Sequence, residues 1–359
     1  MKREPKSSRN ACTWVRRPAS VSLEASGLHG VELERHSVWL RGLSWIEEHR
    51  EHFALSPGPS DLDDLFPLKV LAELARVADV LGRGSRLPAD VDERVADLLR
   101  FAWEQFGEGQ LFATLLVARP YIVLGTMYSI FERHGYCHSE TRTLLARLST
   151  PGGVSSRRFP PRRAPELSAP APFGKDGAAV LALGLALAWR QMGLPCSWAE
   201  DRLFPLTWLS RRLDVVTLSE PEAYSLSHVV FFMTDFGDWP GGLNGTCRDY
   251  LRERCPGWME ALRLRSDLDL YSELAMVLAC LGEPVPDEVE TVLRESQTED
   301  GMLPGPGFRS QRRLKGIEDP GRRRFLENYH TTLAGILASF AATVQLARGD
   351  PDRRPEINP

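Results

Sequence analysis

The sequence predicts an all-α protein in which about six helical hairpins form a closed ring. In almost every patterned segment, apolar residues recur at steps of three and four, which is the period of an amphipathic helix. A stretch of ten residues, 73–82, returns at 273–282 with six identical positions. The most apolar run, 178–189, spans twelve residues. Because a bilayer crossing takes about 20 residues, this run predicts a buried core helix and no membrane partner.

Each copy of this internal repeat predicts one helical hairpin. The first helix ends at Gly82 or Gly282, a loop containing proline follows, and a second helix runs on from Val91 or Val289. Such a hairpin cannot bury its own apolar face and must stack on its neighbours. Repetition about every 50 residues therefore favours a closed ring over an open bundle.

The ring is predicted to comprise two parts, 38–148 and 178–346. The segment between them, 149–177, is rich in Pro, Gly and Ser, which predicts an exposed linker or flap. Residues 1–37 are expected to be a poorly ordered N-terminal segment, and 347–359 a disordered tail.

The composition is that of a soluble globular protein: 359 residues, 43% apolar, 26% charged, with a formal net charge of −4. Lysine and arginine are scattered, so no nucleic-acid partner is predicted. The six cysteines form no CxxC pair, and no apolar region follows the N-terminal methionine, so we expect reduced thiols in a cytoplasmic protein. No cofactor and no metal are predicted.

Two helix ends carry a resemblance to known families. Gln105-Phe-Gly107-Glu-Gly109 and Gln297-Thr-Glu-Asp-Gly301 resemble the QW repeats of the terpene-cyclase and prenyltransferase α/α toroids, across about residues 38–346. The family consensus is Gln-x-x-x-Gly-x-Trp, and the Trp is missing from both ends here. The resemblance implies an α/α toroid with one central cavity.

The segment Asp61-Leu-Asp63-Asp64 matches the DxDD motif of class II terpene cyclases. That resemblance implies that Asp63 is the acid that protonates an alkene, which requires a dry pocket that keeps the carboxyl protonated. Ser-Asp-Leu-Asp recurs at 266–269 before the second copy of the repeat. Helix capping alone would produce this recurrence, so both interpretations stay open.

The best catalytic candidates are His228 and His330, which lie 102 residues apart, two hairpin periods, in similar apolar segments. In a ring, equivalent faces of the inner helices would turn both imidazoles toward one cavity. An imidazole with a pKa near 6.5 can take up and release protons at neutral pH, and apolar neighbours favour its neutral form. The alternative is that each histidine is a hydrogen-bonded core residue.

Several neighbours of these histidines are predicted to assist them. Asp235 follows His228 by seven residues, so a continuous helix would place both on one face, where the carboxylate could orient an imidazole. Equally, Thr-Asp-Phe-Gly could simply end that helix. Tyr329 is a second assisting candidate, and the substrate-binding candidates are Tyr224, Asp238 and Trp239.

A second resemblance concerns the lanthipeptide cyclases, which are also α/α toroids. Tyr329-His330-Thr-Thr-Leu-Ala-Gly335 is similar to their Cys-His pair followed by Gly-x-Ala-Gly, with Tyr329 in the place of the metal-binding cysteine. The resemblance implies an acid/base role for His228. Without a thiolate at position 329, it implies no zinc site. The segment 134–138 contains two histidines and a cysteine, which are common metal ligands, but to hold a metal ion it would need a fourth ligand from elsewhere.

Together these patterns predict a biosynthetic enzyme that tailors secondary metabolites. It would be of the cyclase or lyase type and use His228 and His330 for acid/base chemistry on a peptide or small, elongated organic substrate. One alternative is a terpene cyclase-like enzyme with Asp63 as its acid. The other is a non-catalytic ring that binds a peptide or a partner protein.

Overall fold

The computed structural model describes residues 21–22, 37–55, 66–83, 85–118, 123–149, 176–196, 200–306, 314 and 316–348. The predicted all-α class is confirmed, since these residues are mainly helical. Two short strands, β1 (Val21–Ser22) and β2 (Ser85–Arg86), pair in parallel. The α-helices are α1 (Val38–Glu48), α2 (Phe66–Leu81), α3 (Ala89–Gln105), α4 (Gln110–Ala118), α5 (Val123–Arg133), α6 (Ser139–Ser149), α7 (Gly177–Gln191), α8 (Glu200–Leu203), α9 (Glu220–Met233), α10 (Gly245–Leu264), α11 (Leu268–Cys280), α12 (Glu288–Ser296) and α13 (Pro320–Arg348).

Short 3-10 helices extend or link these elements. They lie at Arg50–Phe53, Gly107–Gly109, Phe204–Leu206, Leu209–Arg211 and Pro240–Gly242.

The two copies of the repeat are consecutive helices that pack on each other, α2 with α3 and α11 with α12. Helix α11 begins after Asp267, whose carboxylate accepts a 3.3 Å hydrogen bond from the backbone N–H of Leu270, so the capping interpretation holds at this copy. Past its end, Gly282 has a φ of 72°, the left-handed conformation that commonly follows a helix. The corresponding segment before α2, with Asp63, lies outside the described residues.

Six helices contact one another in cyclic order: α2, α5, α7, α9, α11 and α13, with α13 returning to α2. We call this arrangement the helix cycle. The other helices pack outside it, with α3 on α2, α10 and α12 on α11, and α1 on α13. The cycle therefore brings together side chains that are more than 200 residues apart in sequence.

Hydrogen bonds join the first helix to the last two. The Ser339 hydroxyl of α13 donates to Glu290 of α12 at 2.6 Å and accepts from the backbone N–H of Trp39 in α1 at 3.2 Å. The Gln297 amide donates to the carbonyl oxygen of Val38 at 3.0 Å. Gln105 likewise accepts a 3.1 Å hydrogen bond from the backbone N–H of Leu55, so both glutamines that resemble the QW repeat bond to backbone outside their own hairpin.

The apolar core comprises two clusters of buried side chains, and helices α7 and α13 contribute to both. Trp39, Trp45 and Trp189 are among its fully buried members. Burying side chains of this size is the main favourable contribution to folding, at about 25 cal/mol per Å² of apolar surface. The two predicted parts of the ring are therefore held together by the packing of α7 and α13.

Several predicted segments fall outside the described residues, namely most of 1–37, residues 150–175 of the flap predicted at 149–177, and the tail from 349 onward. The first and last residues of the predicted flap, Ser149 and Gly177, belong to α6 and α7. Residues 347 and 348, which were predicted to be tail, belong to α13. Among the described helices, none combines the length and the apolar character that a bilayer crossing requires.

Candidate functional site

Ionisable and hydroxyl side chains from four helices of the cycle meet in one group, which we call the histidine cluster. It contains residues of α2, α9, α11 and α13: Lys69, Glu73, Tyr224, Ser227, His228, Asp269, Glu273, Tyr329 and His330.

The two predicted histidines lie against the same carboxylate, that of Glu273. His228 Nδ1 is 3.8 Å from Glu273 Oε2, and His330 Nε2 is 3.6 Å from Glu273 Oε1. The Ser227 hydroxyl also donates a hydrogen bond to Glu273 Oε2. The structure therefore brings the two imidazoles to one place, while their catalytic role stays a prediction.

His330 lies between three carboxylates. Its Nδ1 is 3.4 Å from Glu73 Oε2, and its Nε2 is 3.6 Å from Asp269 Oδ1 and close to Glu273 as well. Burial alone would lower the pKa of His330, but the carboxylates outweigh burial and hold this pKa well above its ordinary value. These surroundings therefore favour the imidazolium form of His330.

His228 has the opposite character. Burial lowers the pKa of His228, and the nearby carboxylate of Glu273 offsets this effect only in part. Its Nδ1 is 3.0 Å from the carbonyl oxygen of Tyr224, one turn earlier in α9. A carbonyl oxygen only accepts hydrogen bonds, so Nδ1 carries the hydrogen and Nε2 is the basic nitrogen.

Two tyrosines and a lysine bind two of the three carboxylates, those of Glu73 and Asp269. The Tyr329 hydroxyl donates to Glu73 Oε2 at 2.9 Å, and Lys69 Nζ is 2.5 Å from Glu73 Oε1. Burial raises the pKa of Glu73, but Lys69 and His330 outweigh burial and leave this pKa below its ordinary value. The Tyr224 hydroxyl donates to Asp269. Three carboxyl groups thus face one ammonium and one imidazolium.

The two histidines are partly accessible, as are Lys69 and Glu73. The side chains of His228 and His330 are 24% and 32% exposed, whereas those of Asp269 and Glu273 are 3% and 6% exposed. Asp269 and Glu273 therefore lie behind the imidazoles, whereas Glu73, at 23%, is about as exposed as His228.

A second group, the arginine cluster, lies at the C-terminal ends of α2, α5, α7 and α9. Its members are Arg76, Asp79, Arg83, Arg133, His134, Gln191, Asp235 and Asp238. Asp79 is fully buried and binds Arg76 Nη1 at 2.8 Å, Arg83, and His134 Nε2 at 2.9 Å.

Asp235 belongs to the arginine cluster and is not bound to an imidazole. Helix α9 ends at Met233, and Asp235 and Phe236 have φ values of 49° and 53°, so the helical face that would align Asp235 with His228 does not continue. The carboxylate of Asp235 instead accepts hydrogen bonds from Arg83, Arg133 and Gln191. The segment does end the helix, as the alternative interpretation holds.

Two substrate-binding candidates also lie at this end of the helix cycle. Asp238 binds Arg133 at 2.9 Å and Arg83 at 3.3 Å, and Arg190 lies over the ring of Trp239, 5.2 Å from its centroid. Of the predicted residues, His228, His330, Tyr329 and Tyr224 meet in the histidine cluster, whereas Asp235, Asp238 and Trp239 do not.

The carboxylates of the histidine cluster were missed from sequence, although a signal was present. Glu73 and Glu273 occupy the same position of the internal repeat, Glu-Leu-Ala, and both contact His330. Because α2 and α11 both pack on α13, a glutamate at the same repeat position of each helix indicates that both carboxylates face α13.

A family model described as a domain of unknown function (DUF6895) matches residues 40–340. The chain belongs to this family. No curated protein and no solved structure matches it. The matched range contains every residue of both clusters, but membership of this family does not itself indicate an activity.

Within the described part of this DUF6895 chain, no group of three or more His, Cys, Asp or Glu side chains is arranged to hold a metal ion. The two histidines of the segment 134–138 form hydrogen bonds with separate partners, His134 with Asp79 and His138 Nδ1 with the Thr141 hydroxyl at 2.9 Å. Where the lanthipeptide cyclases have a cysteine ligand, Tyr329 binds Glu73.

The arrangement has a definite chemical capability. Two partly accessible imidazoles lie against one buried carboxylate, that of Glu273, and their surroundings favour the neutral form of His228 and the charged form of His330. When the surroundings lower the pKa of one imidazole and raise that of the other, the first can take up a proton at a pH at which the second still carries one.

Proposed function

We propose that this protein is a proton-transfer enzyme of the cyclase or lyase type, acting on a peptide or other elongated organic molecule in the middle of the helix cycle. We infer also that the helix cycle is an α/α toroid. The observation that carries the function is that both imidazoles lie against Glu273, in surroundings that lower the pKa of His228 and raise the pKa of His330. Such a pair supports chemistry that removes one proton and returns another.

In this proposal His228 is the general base. A substrate proton moves to Nε2 of His228, and the imidazolium that forms is stabilised by the carboxylate of Glu273, 3.8 Å from Nδ1. His330 holds the second proton between Glu73 and Glu273 and supplies it to the product. Tyr329 is a positioning residue, because it acts on His330 through Glu73.

The cyclase or lyase class and a role in secondary metabolism are supported by the sequence resemblance to the α/α-toroid families. Both reaction types remove a proton from one atom and deliver a proton to another, which one neutral and one protonated imidazole can do without a change of pH. The terpene cyclase-like alternative depends on Asp63, which lies outside the described residues, and stays a prediction.

The charge states of the two histidines test the proposal directly. Imidazole nitrogens observed by ¹⁵N NMR across a pH series should titrate below the ordinary value for His228 and above it for His330. The variants His228→Gln and His330→Gln assign the signals. Both histidines titrating together near pH 6.5 would refute the acid/base assignment.

Proton transfer itself can be sought without a known substrate. The purified protein is incubated in D₂O with a pool of synthetic peptides and small organic acids, and deuterium uptake or a change of mass is followed by mass spectrometry. We expect His228→Gln to lower any such turnover by about 10²–10⁴-fold. His52→Gln, which removes an imidazole outside the cluster, is the matched control and should retain turnover, with helical circular dichroism unchanged in both.

A non-catalytic binding protein is the second candidate. Both nitrogens of His330 face carboxylates, as expected for an ionic link that only ties α13 to α2 and α11. In that case the double variant His228→Gln, His330→Gln would keep its affinity for a peptide or partner, and deuterium uptake would not differ from that of a protein-free control.

A further inference from the structure

One face of α2 leads from the histidine cluster to Arg76. Lys69, Glu73 and Arg76 follow one another at steps of four and three, so their side chains lie along one stripe of the helix. With a rise of about 1.5 Å per residue, Arg76 lies about 4.5 Å further along the axis than Glu73. Its side chain is 14% exposed, and its guanidinium carbon is 4.6 Å from the centroid of the Phe236 ring.

Aromatic rings connect His228 with Arg76 on the facing helix. The Phe232 ring is 5.8 Å from the imidazole of His228 and 6.2 Å from the ring of Phe236, centroid to centroid. Phe232 lies over Gly184 of α7, where an added Cβ would be 3.0 Å from the aromatic ring. The absence of a side chain at position 184 therefore makes room for this ring between α7 and α9.

Arg76 is less well compensated than its neighbour Arg83. It shares the carboxylate of Asp79 with Arg83 and His134, and its Nη2 also donates to the carbonyl oxygen of Thr126 at 3.5 Å. Arg83 binds two further carboxylates, those of Asp235 and Asp238. Burial lowers the pKa of Arg76 to about 10, although Asp79 offsets part of this effect. An additional anion beside this guanidinium would therefore be favourable.

We propose that Arg76, Phe232 and Phe236 form a substrate subsite for a carboxylate attached to an aromatic or apolar group. The carboxylate binds the guanidinium of Arg76, the apolar group lies on the two phenylalanines, and the reacting atom is directed toward His228. The subsite rests on the proposed function and names its substrate class, an organic acid or a peptide with a free carboxyl group.

The test compares two probes that differ only in charge, phenylacetate and phenylacetamide, by titration calorimetry or ligand-observed NMR with the full chain. We expect phenylacetate to bind at least about tenfold more tightly than the amide, because a charge-assisted bond to arginine is available only to the acid. Equal affinities of the two probes would overturn the proposal.

Variants show which residue causes the preference for the acid over the amide. Arg76→Gln should abolish the difference between acid and amide, whereas Arg94→Gln, which removes an arginine paired with Glu47 outside the helix cycle, should retain it. Phe236→Leu should weaken both probes to a similar extent. A preference for the acid that survives in folded Arg76→Gln would overturn the assignment. If Arg76→Gln does not fold, equal affinities of wild type for the two probes would still overturn the proposal, and Phe236→Leu would still test the apolar contact.

The binding and titration experiments distinguish a failure of the subsite proposal from a failure of the proposed function. His228→Gln should bind phenylacetate with the same preference as wild type, because neither imidazole holds the carboxylate. Equal binding of acid and amide by wild type, with the histidines titrating as expected, would remove the subsite alone. A normal preference combined with two histidines that titrate together would remove the acid/base function and leave an anion-binding site.

Discussion

The histidine cluster and the arginine cluster both join α2 to α9, yet they differ in charge balance and in exposure. In the arginine cluster three guanidinium groups face three aspartates, and the central carboxylate of Asp79 is fully buried. In the histidine cluster three carboxyl groups face one lysine and one imidazolium, and the imidazoles are accessible. The arginine cluster has equal numbers of opposite charges around the buried Asp79 and fixes the helix ends, whereas the histidine cluster has an excess of carboxyl groups, and for this reason we propose it as the site of proton exchange.

The largest effect is expected from removing the buried charge of the arginine cluster. Asp79→Asn leaves Arg76 and Arg83 without their shared carboxylate, and losing one partner of a buried ion pair costs about 3–5 kcal/mol. Urea titration followed by circular dichroism measures the change in the free energy of unfolding. Asp97→Asn, which breaks only an exposed pair with Arg100, is the control and should change stability by less than about 1 kcal/mol. Equal losses in the two variants would contradict the structural role of Asp79.

An intermediate effect is expected from pH, through His330. Because its folded pKa is raised, its stabilising contribution is complete below the unfolded pKa near 6.5 and is lost as the pH rises through the folded pKa. The loss is about 1.4 kcal/mol for each unit between the two pKa values. Urea titrations from pH 6 upward should show this decline, and His330→Gln should remove it. An unchanged pH dependence in His330→Gln would show that the carboxylates do not hold a proton on this residue.

The smallest effect is expected at the exposed edge of the arginine cluster. Asp238 is more exposed than Asp79 and pairs with Arg83 and Arg133. Since solvent screens such pairs, Asp238→Asn should cost at most about 1 kcal/mol in the free energy of unfolding. A loss as large as that of Asp79→Asn would mean that exposure does not separate the members of this cluster.

Sequence patterns predicted the local structure well, for identifiable reasons. Helices α2 and α11 could be placed because the glycines at 82 and 282 follow periodic apolar runs. His228 and His330 could be paired because they lie in similar helices two hairpin periods apart. Both inferences use only short-range chemistry, in which neighbours along the chain determine where a helix forms and ends.

The errors share another cause. Asp235 was aligned with His228 by extending a helix that ends at Met233, since left-handed backbone at Asp235 is hard to read from composition. Glu73 and Glu273 were missed as site residues because a glutamate in an amphipathic helix usually faces solvent. Helical period shows which residues share a face, but it does not show whether that face is turned outward or toward the centre of the helix cycle.

By itself, the sequence determined the all-α class, the hairpins of the internal repeat and the helices that carry both imidazoles, because helix period, capping and turn chemistry act over a few residues. Only the tertiary structure decided that Glu73, Asp269 and Glu273 lie against His330 and that Asp235 lies against Arg83. These contacts join helices 50 to 260 residues apart, and which faces meet depends on how all the helices of the cycle pack together.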